Sequence, residues 1–303
     1  MLPDSDQEIR DRLLAVPEGR RAMSLRSTKF FDTHYCGMRA APFRSRWLRL
    51  FDETRAKGLK KKRKQRFLLL APRDHGKTET CVTFILKEIV KNRDVRILWI
   101  CATAGVAKKR LKRVSDLLKS KRIQQDWTTA PDEGYGPFMD KDSKWNESLI
   151  YVKRNLDSID PTLEATGANG ALTGGHFDII VFDDLEDDDS TSTQAKRNKT
   201  RDWVRGTVYP MLNRDGAMLA VGTRKHHDDI YGHWNKAPEW RTVRDQAIIE
   251  WPEDFTLETE YDIESDKDIV ISVDVKGPSK VLWPEERPIE YLLQEREAMT
   301  HLM

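Results

Sequence analysis

The sequence predicts an α/β fold, a mostly parallel sheet flanked on both faces by helices. Three observations predict it. Four apolar runs, FLLLA (67–71), VRILWIC (95–101), DIIVF (178–182) and GAMLAVG (216–222), lack the polar alternation of half-exposed strands; such runs mark strands buried on both faces. Segments with helical spacing separate them, and strands alternating with helices build parallel sheets. The 303-residue chain is 38% hydrophobic, enough for one large core or two small ones and too much for a disordered chain.

In chain order, residues 1–25 read as a short polar helix and linker. PFRSRWLRLFDETRA opens at Pro42 and sets Trp47, Leu50 and Phe51 on one stripe of an amphipathic helix. The basic run KGLKKKRKQR (57–66) leads into the first strand and reads as a solvated loop, the alternative being a nucleic-acid contact or a nuclear localisation signal. From Lys77 to Asn92 the pattern is helical, with Cys81, Phe84, Ile85 and Ile89 on one side. Residues 103–120 place Leu111, Val114 and Leu118 on one helical face, under a basic one. Gly, Pro and Asp make 127–147 irregular. Short strands near 149–153 and 163–166 precede a glycine-rich loop, TGANGALTGG (166–175). A helix over 194–209, a more exposed strand over 241–249, a strand over 269–275 and a weakly amphipathic helix over 286–302 follow.

Composition narrows the class. No apolar run approaches the roughly 18 residues that span a bilayer, and the charged N-terminus MLPDSDQEIRDRLL lacks the apolar core of a secretory signal. Three cysteines with no CxxC pair suit a reducing compartment. The expectation is a soluble intracellular protein without a membrane partner. Net charge is only +2, but seven positive charges fall in 57–66 and six negative ones in 183–189. A basic face over 103–122, including Lys108, Lys109, Arg110, Lys112 and Arg113, is a candidate for phosphate-backbone contacts or a solvated face.

APRDHGKT (71–78) joins the first strand to a helix. A phosphate-binding loop has this form: buried strand, tight turn, then Gly-Lys-Ser/Thr at a helix N-terminus whose N–H groups cradle phosphates. Ala71, Pro72, Arg73, Asp74, His75, Gly76, Lys77, Thr78 and Glu79 make the candidate nucleotide-binding stretch, with Ala71 where the usual motif has its first glycine. Gly76 permits close backbone approach, Lys77 brings positive charge to the β/γ-phosphates, and the Thr78 hydroxyl is a Mg²⁺ ligand. Arg73 suits either an arginine finger supplied in cis or a loop-holding role, and His75 suits loop packing.

DIIVFDD (178–184) has the pattern of a Walker B strand, with Asp183 holding Mg²⁺ through water. Asp184 is the candidate to orient or deprotonate the attacking water, and Glu186 is its rival. Asp187 to Asp189, beside Ser190 and Thr191, read as a solvated helix cap, because an EF-hand's glycine and ligand spacing are missing. MLAVGTRKHHDDIYG (218–232) is a strand ending in Gly222-Thr223-Arg224, with the Thr223 hydroxyl at its tip beside the γ-phosphate. His226, His227 and His233 do not match H-E-x-x-H, and Asp228-Asp229 looks like a helix start, so zinc is disfavoured.

The ordered set APRDHGKT, ILWICATAGVAKKRL, LEATGANGALTGGHFDIIVFDDLEDD, MLAVGTRKHHDDIYG and VLWPEERP resembles the large terminase subunit of tailed bacteriophages, the ATP-driven DNA-packaging motor. The match covers most of 65–290. The resemblance implies an ASCE-type P-loop NTPase with a small lid subdomain, using ATP and Mg²⁺. It assigns Lys77 and Thr78 to Walker A, Arg73 as its arginine, Asp183 to Walker B, Asp184 to the catalytic carboxylate and Thr223 to the coupling motif. Aspartate in place of the usual glutamate at 184 leaves Glu186 in contention. The implied partners are double-stranded DNA, the portal protein of a procapsid, the small terminase subunit and copies of the chain in a ring, in the host cell cytoplasm. The implied organisation is a helical extension over 1–66, an ATPase core over 67–250 and a lid or linker over 251–303, without the metal-dependent nuclease domain. Arg154, Arg201, Arg205 and Arg214 are candidates for an arginine acting on a neighbouring subunit. Two other readings are a helicase-like remodelling ATPase and a non-hydrolysing nucleotide-binding scaffold.

Overall fold

The computed structural model describes residues 6–128, 136–139, 144–172, 174–262 and 267–300. The chain forms two compact units, Met1–Leu70 with Gly76–Val243, and Ala71–His75 with Arg244–Met303.

The first unit opens with helices α1 (Asp6–Ala15), α2 (Pro17–Arg26), α3 (Thr28–His34) and α4 (Pro42–Lys61), so two helices stand where one helix and a linker were expected over 1–25. Pro42 starts α4 because its missing N–H is not needed in the first turn. The helix runs through most of the basic stretch and stops only where Lys62 turns left-handed, with φ of 48°, so Lys57 to Lys61 are helical and not looped. Strand β1 (Gln65–Leu70), helix α5 (Lys77–Lys91), strand β2 (Ile97–Cys101) and helix α6 (Ala104–Leu118) follow as the patterning predicts. Then come α7 (Lys121–Trp127), β3 (Leu149–Ile150), β4 (Leu163–Gly167) and β5 (Phe177–Asp183). Residues 129–135 and 140–143 of the stretch expected to be irregular lie outside the described residues. After the single turn α8 (Asp188–Thr191), α9 (Gln194–Trp203) passes into a π-helical turn at Val204–Val208 and a 3₁₀ turn at Tyr209–Met211. Strand β6 (Leu212–Gly222), helix α10 (Ile230–Lys236) and strand β7 (Arg241–Arg244) complete the sheet.

That sheet has seven strands in the order β3-β4-β2-β5-β6-β1-β7. The pairs β4–β2, β2–β5, β5–β6 and β6–β1 are parallel, and β3 is antiparallel to β4. Side chains alternate across a strand. One set, including Leu68, Ile100, Phe182 and Met218, packs with Val204, Val208, Ile230, Tyr231 and Trp234. The opposite set meets the earlier helices, where Phe51 of α4 lies edge-on to Phe67 of β1 and Phe84 of α5. Both faces are covered, which is why the strands lack polar alternation.

The second unit corrects the pattern at 241–249, which is no single strand. Its first part is β7, and its second part is β8 (Ile248–Glu250). Strands β9 (Asp254–Asp262) and β10 (Lys267–Lys276) form an antiparallel hairpin, strand β11 (Lys280–Val281) pairs with β8, and helix α11 (Ile289–Thr300) follows. Ile248, Ile289 and Leu293 form a small core with Phe255, Val273 and Val275. The acidic stretch near 253–262 hides β9 because charged residues alternate with its few apolar ones.

Gly58 fixes how closely α4 lies on β6. A Cβ there would meet the Asp215 carbonyl oxygen at 2.7 Å and that of Gly216 at 3.3 Å, both backbone atoms. Gly58→Ala should therefore cost about 1–3 kcal/mol in urea denaturation despite alanine's better helix propensity. An unchanged or raised midpoint would contradict this packing.

Candidate functional site

The parallel register aligns the carboxyl ends of three strands. Leu70 of β1 lies opposite Gly222 of β6, and Asp183 of β5 lies opposite Val221 of β6. In open α/β sheets, ligands bind outside such strand ends. Strand β6 thus separates the strand before the Gly-Lys-Thr from the strand that carries Asp183. The result is a mostly parallel α/β sheet with these residues gathered at its strand ends.

Gly76 has φ of 75°, a left-handed conformation that glycine adopts without strain, and its carbonyl accepts from the Thr80 amide and hydroxyl of α5. Lys77 opens α5 and is buried; its Nζ donates to Thr223 Oγ1 at 2.9 Å. Next to it, Thr78 Oγ1 donates to Asp183 Oδ1 at 3.1 Å. Four residues from three distant sequence segments therefore meet in two pairs at the strand ends.

Asp183 is buried, and its Oδ2 accepts no hydrogen bond among the described residues. Burial pushes this carboxyl up to about 7, and Asp184 adds repulsion, against the pull of Arg110, Thr78 and Lys77. The Arg110 Nε stands 3.7 Å from Oδ2. Arg110, expected on the basic outer face of α6, thus turns its guanidinium toward Asp183. Three other cations of α6 also find partners within the chain: Lys108 with Glu147, Lys112 with Asp116, and Arg113 with Glu79.

The two rival carboxylates separate. Asp184 is exposed and directly follows Asp183, with φ of 46° and its N–H on the Val221 carbonyl at 3.0 Å. Aspartate is among the few residues that tolerate that conformation. Glu186 is buried and points elsewhere. Its Oε2 accepts from the Ile230 amide at 2.8 Å, at the first turn of α10. Desolvation raises it to about 7, with Asp229 adding to the rise and the Ile230 amide, Arg201 and Arg197 opposing it. Between the two acids, the Leu185 N–H donates to the Tyr231 hydroxyl at 2.7 Å, a second tie to α10. Asp187 caps α8 in a reciprocal box with Ser190, and Asp229 caps α10 through the Gly232 amide.

Arg44 went unnoticed in the sequence. Its buried guanidinium pairs with buried Asp32 at 2.9 Å, Asp32 also accepts from Thr83 at 2.7 Å, and the Arg44 chain lies where a Gly76 Cβ would be, 3.2 Å from it. The only hint was an arginine on the apolar stripe of α4. Arg154 is held by the Ser158 and Asp160 carbonyls, and Arg201 by Asp228 and Asn198, while Arg205 and Arg214 are exposed. In the second unit, Asp74 has φ of 58°, the His75 Nδ1–H donates to the Arg73 carbonyl at 2.6 Å, and the His75 ring lies 6.1 Å from that of Trp283. Pro72 is half-buried in this loop and Ala71 is buried, while Arg73 is exposed.

No family model matches the chain. No curated protein matches it either. Among solved structures, it is similar to the ATPase domain of the Thermus phage P74-26 large terminase, at 15% identity and a TM-score of 0.40, over 60% of this chain and 76% of that one. It is also similar to S. cerevisiae Dbp5 bound to Gle1 and IP6, at 14% identity and a TM-score of 0.43, over 72% of this chain and 50% of that one. Scores this low leave the chain's function to its own geometry.

Glu186 gives a pH test of the site's wall. Its pKa is raised on folding from 4.5 to about 7, so the folded state keeps a proton that the unfolded state releases. Stability should fall as pH rises from 4.5 through about 7, by on the order of 2–3 kcal/mol from this group. Glu186→Gln should lessen the slope of that part of the urea-midpoint profile, leaving the share of Asp183, which is raised to the same range. Parallel profiles for the two proteins would show that Glu186 titrates normally.

Proposed function

We propose that the chain is a Mg²⁺-dependent ATPase of the DNA-packaging type, turning over nucleotide at the carboxyl ends of β1, β5 and β6. The carrying observation is the meeting of Lys77 with Thr223 and of Thr78 with Asp183. A hydroxyl, an adjacent buried carboxylate oxygen without a hydrogen bond and a lysine at the start of a 15-residue helix fit a metal–triphosphate. Thr78 and Asp183 would hold Mg²⁺, which when bound neutralises charge on the phosphates and lowers the pKa of Asp183.

Each residue then has a role. The amides that open α5 and the Lys77 ammonium bind the phosphate chain, and Gly76 lets them approach. Asp184, not Glu186, orients and deprotonates the attacking water, because it is the exposed acid directly after Asp183. Thr223, one residue past β6, holds Lys77 and would respond to a change in the phosphate chain that Lys77 would bind. The packaging assignment is supported by the order of the sequence motifs. With it come the proposals of double-stranded DNA as substrate, a portal and small terminase subunit as partners, and a ring of copies.

Lys77→Ala should reduce Mg²⁺-dependent ATP hydrolysis by about 10²-fold or more, and Asp184→Asn by about 10²–10⁴-fold with nucleotide binding kept. Glu186→Gln should retain hydrolysis. Loss of turnover in Glu186→Gln with survival in Asp184→Asn would move the base. Nucleotide binding without turnover in wild type would favour the scaffold reading.

A further inference from the structure

At the opposite end of β1 from Lys77 lies a cavity of about 920 Å³. Strand β1 has six residues, so about 20 Å of strand separates the two ends. The cavity is lined by the last turns of α4, the lead into β1, the start of β6 and the start of β7. Gly58 brings these segments together, since only without a Cβ can α4 press on the Asp215 carbonyl beside Arg214.

Eight of the thirteen lining residues are lysine or arginine. Lys57, Lys61, Lys62, Arg63 and Arg214 all face it, all are exposed, and none has an acidic partner among the described residues. Three further cations are already engaged: Arg66 with Glu239 at 3.4 Å, Arg241 with Glu53 at 3.7 Å, and Lys64 with the Tyr209 carbonyl at 3.4 Å. Glu239 is the sole acid in the lining. Five unmatched charges on one concavity contrast with α6, where Lys108, Arg110, Lys112 and Arg113 pair within the chain.

We propose that this cavity is a second phosphate-binding site, which holds the backbone of double-stranded nucleic acid without reading its sequence. A single small anion would leave most of these spread charges unmatched, whereas a duplex backbone presents phosphates in series. Base readout is not provided. The aromatic Trp240 in the lining is 5% exposed and stacked on Trp234 with ring centroids 4.5 Å apart, so no base can stack on it. Lysines, as flexible point charges, suit phosphate contacts more than base edges. The site deepens the translocation reading by naming its track, while its charge stands apart from nucleotide hydrolysis.

The test is fluorescence anisotropy with a labelled 30-base-pair duplex, titrated at several salt concentrations and without nucleotide. Wild type should bind, with affinity falling steeply as salt rises. Replacing Lys57, Lys61, Lys62 and Arg63 together by glutamine should weaken binding at least about 10-fold near 0.1 M salt and lower the log–log salt slope by about 3–4. Arg214→Gln alone should lower the slope by about 1. The double change Lys108→Gln with Lys112→Gln should leave both quantities unchanged. Unfolding midpoints of all variants should match wild type, since the changed side chains are exposed. Wild-type affinity and slope in the fourfold variant would overturn the proposal. So would a fourfold variant that loses binding only to phosphatidylserine vesicles. A chain that binds duplex here yet never hydrolyses ATP would sink the motor reading and leave this site standing.

Discussion

The site depends on one constraint, the insertion of β6 between β1 and β5 in parallel register. That register sets Gly222 level with Leu70 and Val221 level with Asp183. A hydroxyl one residue past the end of β6 then lands on the lysine, and a hydroxyl one residue further along α5 lands on the aspartate. A slip of one residue in β6 would turn its side chains to the other face and break both pairs. The apolar runs of these strands are therefore as much part of the site as Lys77 and Asp183. Their burial on two faces leaves one register in which the core closes.

Buried charge is the second organising feature. Asp32 accepts from both Arg44 and Thr83 in a buried group that ties α3, α4 and α5 together beside Gly76. Removing one partner of such a buried pair leaves an uncompensated charge, which makes the group a determinant of conformation more than of net stability. Glu186 and Tyr231 act on the other side. Through Ile230 and Leu185 they fasten the loop after β5 to α10, and α10 follows β6 directly. The two strands that carry the candidate Mg²⁺ ligand and the phosphate reporter are thus joined behind the site as well as within the sheet. The four residues after Asp183 divide between these duties: Asp184 at the surface, Leu185 and Glu186 inward to α10, and Asp187 on its own helix cap.

Much of this was legible in the sequence. Strands buried on both faces announce themselves as apolar runs, and β1, β2, β5 and β6 do so. Gly-Lys-Thr after such a run, and Asp-Asp after another, located the residues that the fold brings together. What escaped had physical reasons. The basic stretch before β1 looked like a loop because lysines have no stripe, yet lysine is a good helix former and α4 continues through it. Strand β9, the first arm of the hairpin, alternates charged with apolar residues, so its acidity masked its period, whereas β10 was expected over 269–275. Arg110 looked like one more surface cation, since helical spacing cannot reveal that it stands 3.7 Å from an aspartate 73 positions away. The choice between Asp184 and Glu186 was open for the same reason. Both are acids after a strand, and only the path of the chain beyond Asp183 sends one outward and the other into the fold.

The central claim is that Thr78 and Asp183 together hold the metal of a bound nucleotide. Titration calorimetry with a non-hydrolysable ATP analogue, with and without Mg²⁺, tests it without any need for turnover. For wild type, the affinity should rise at least about 10-fold on adding Mg²⁺, a gain of roughly 1.4 kcal/mol. In Asp183→Asn and in Thr78→Val most of that gain should vanish while metal-free binding persists through Lys77 and the start of α5. An undiminished Mg²⁺ gain in both variants would contradict the account, because the pair that the parallel register assembles would then have no part in holding the metal.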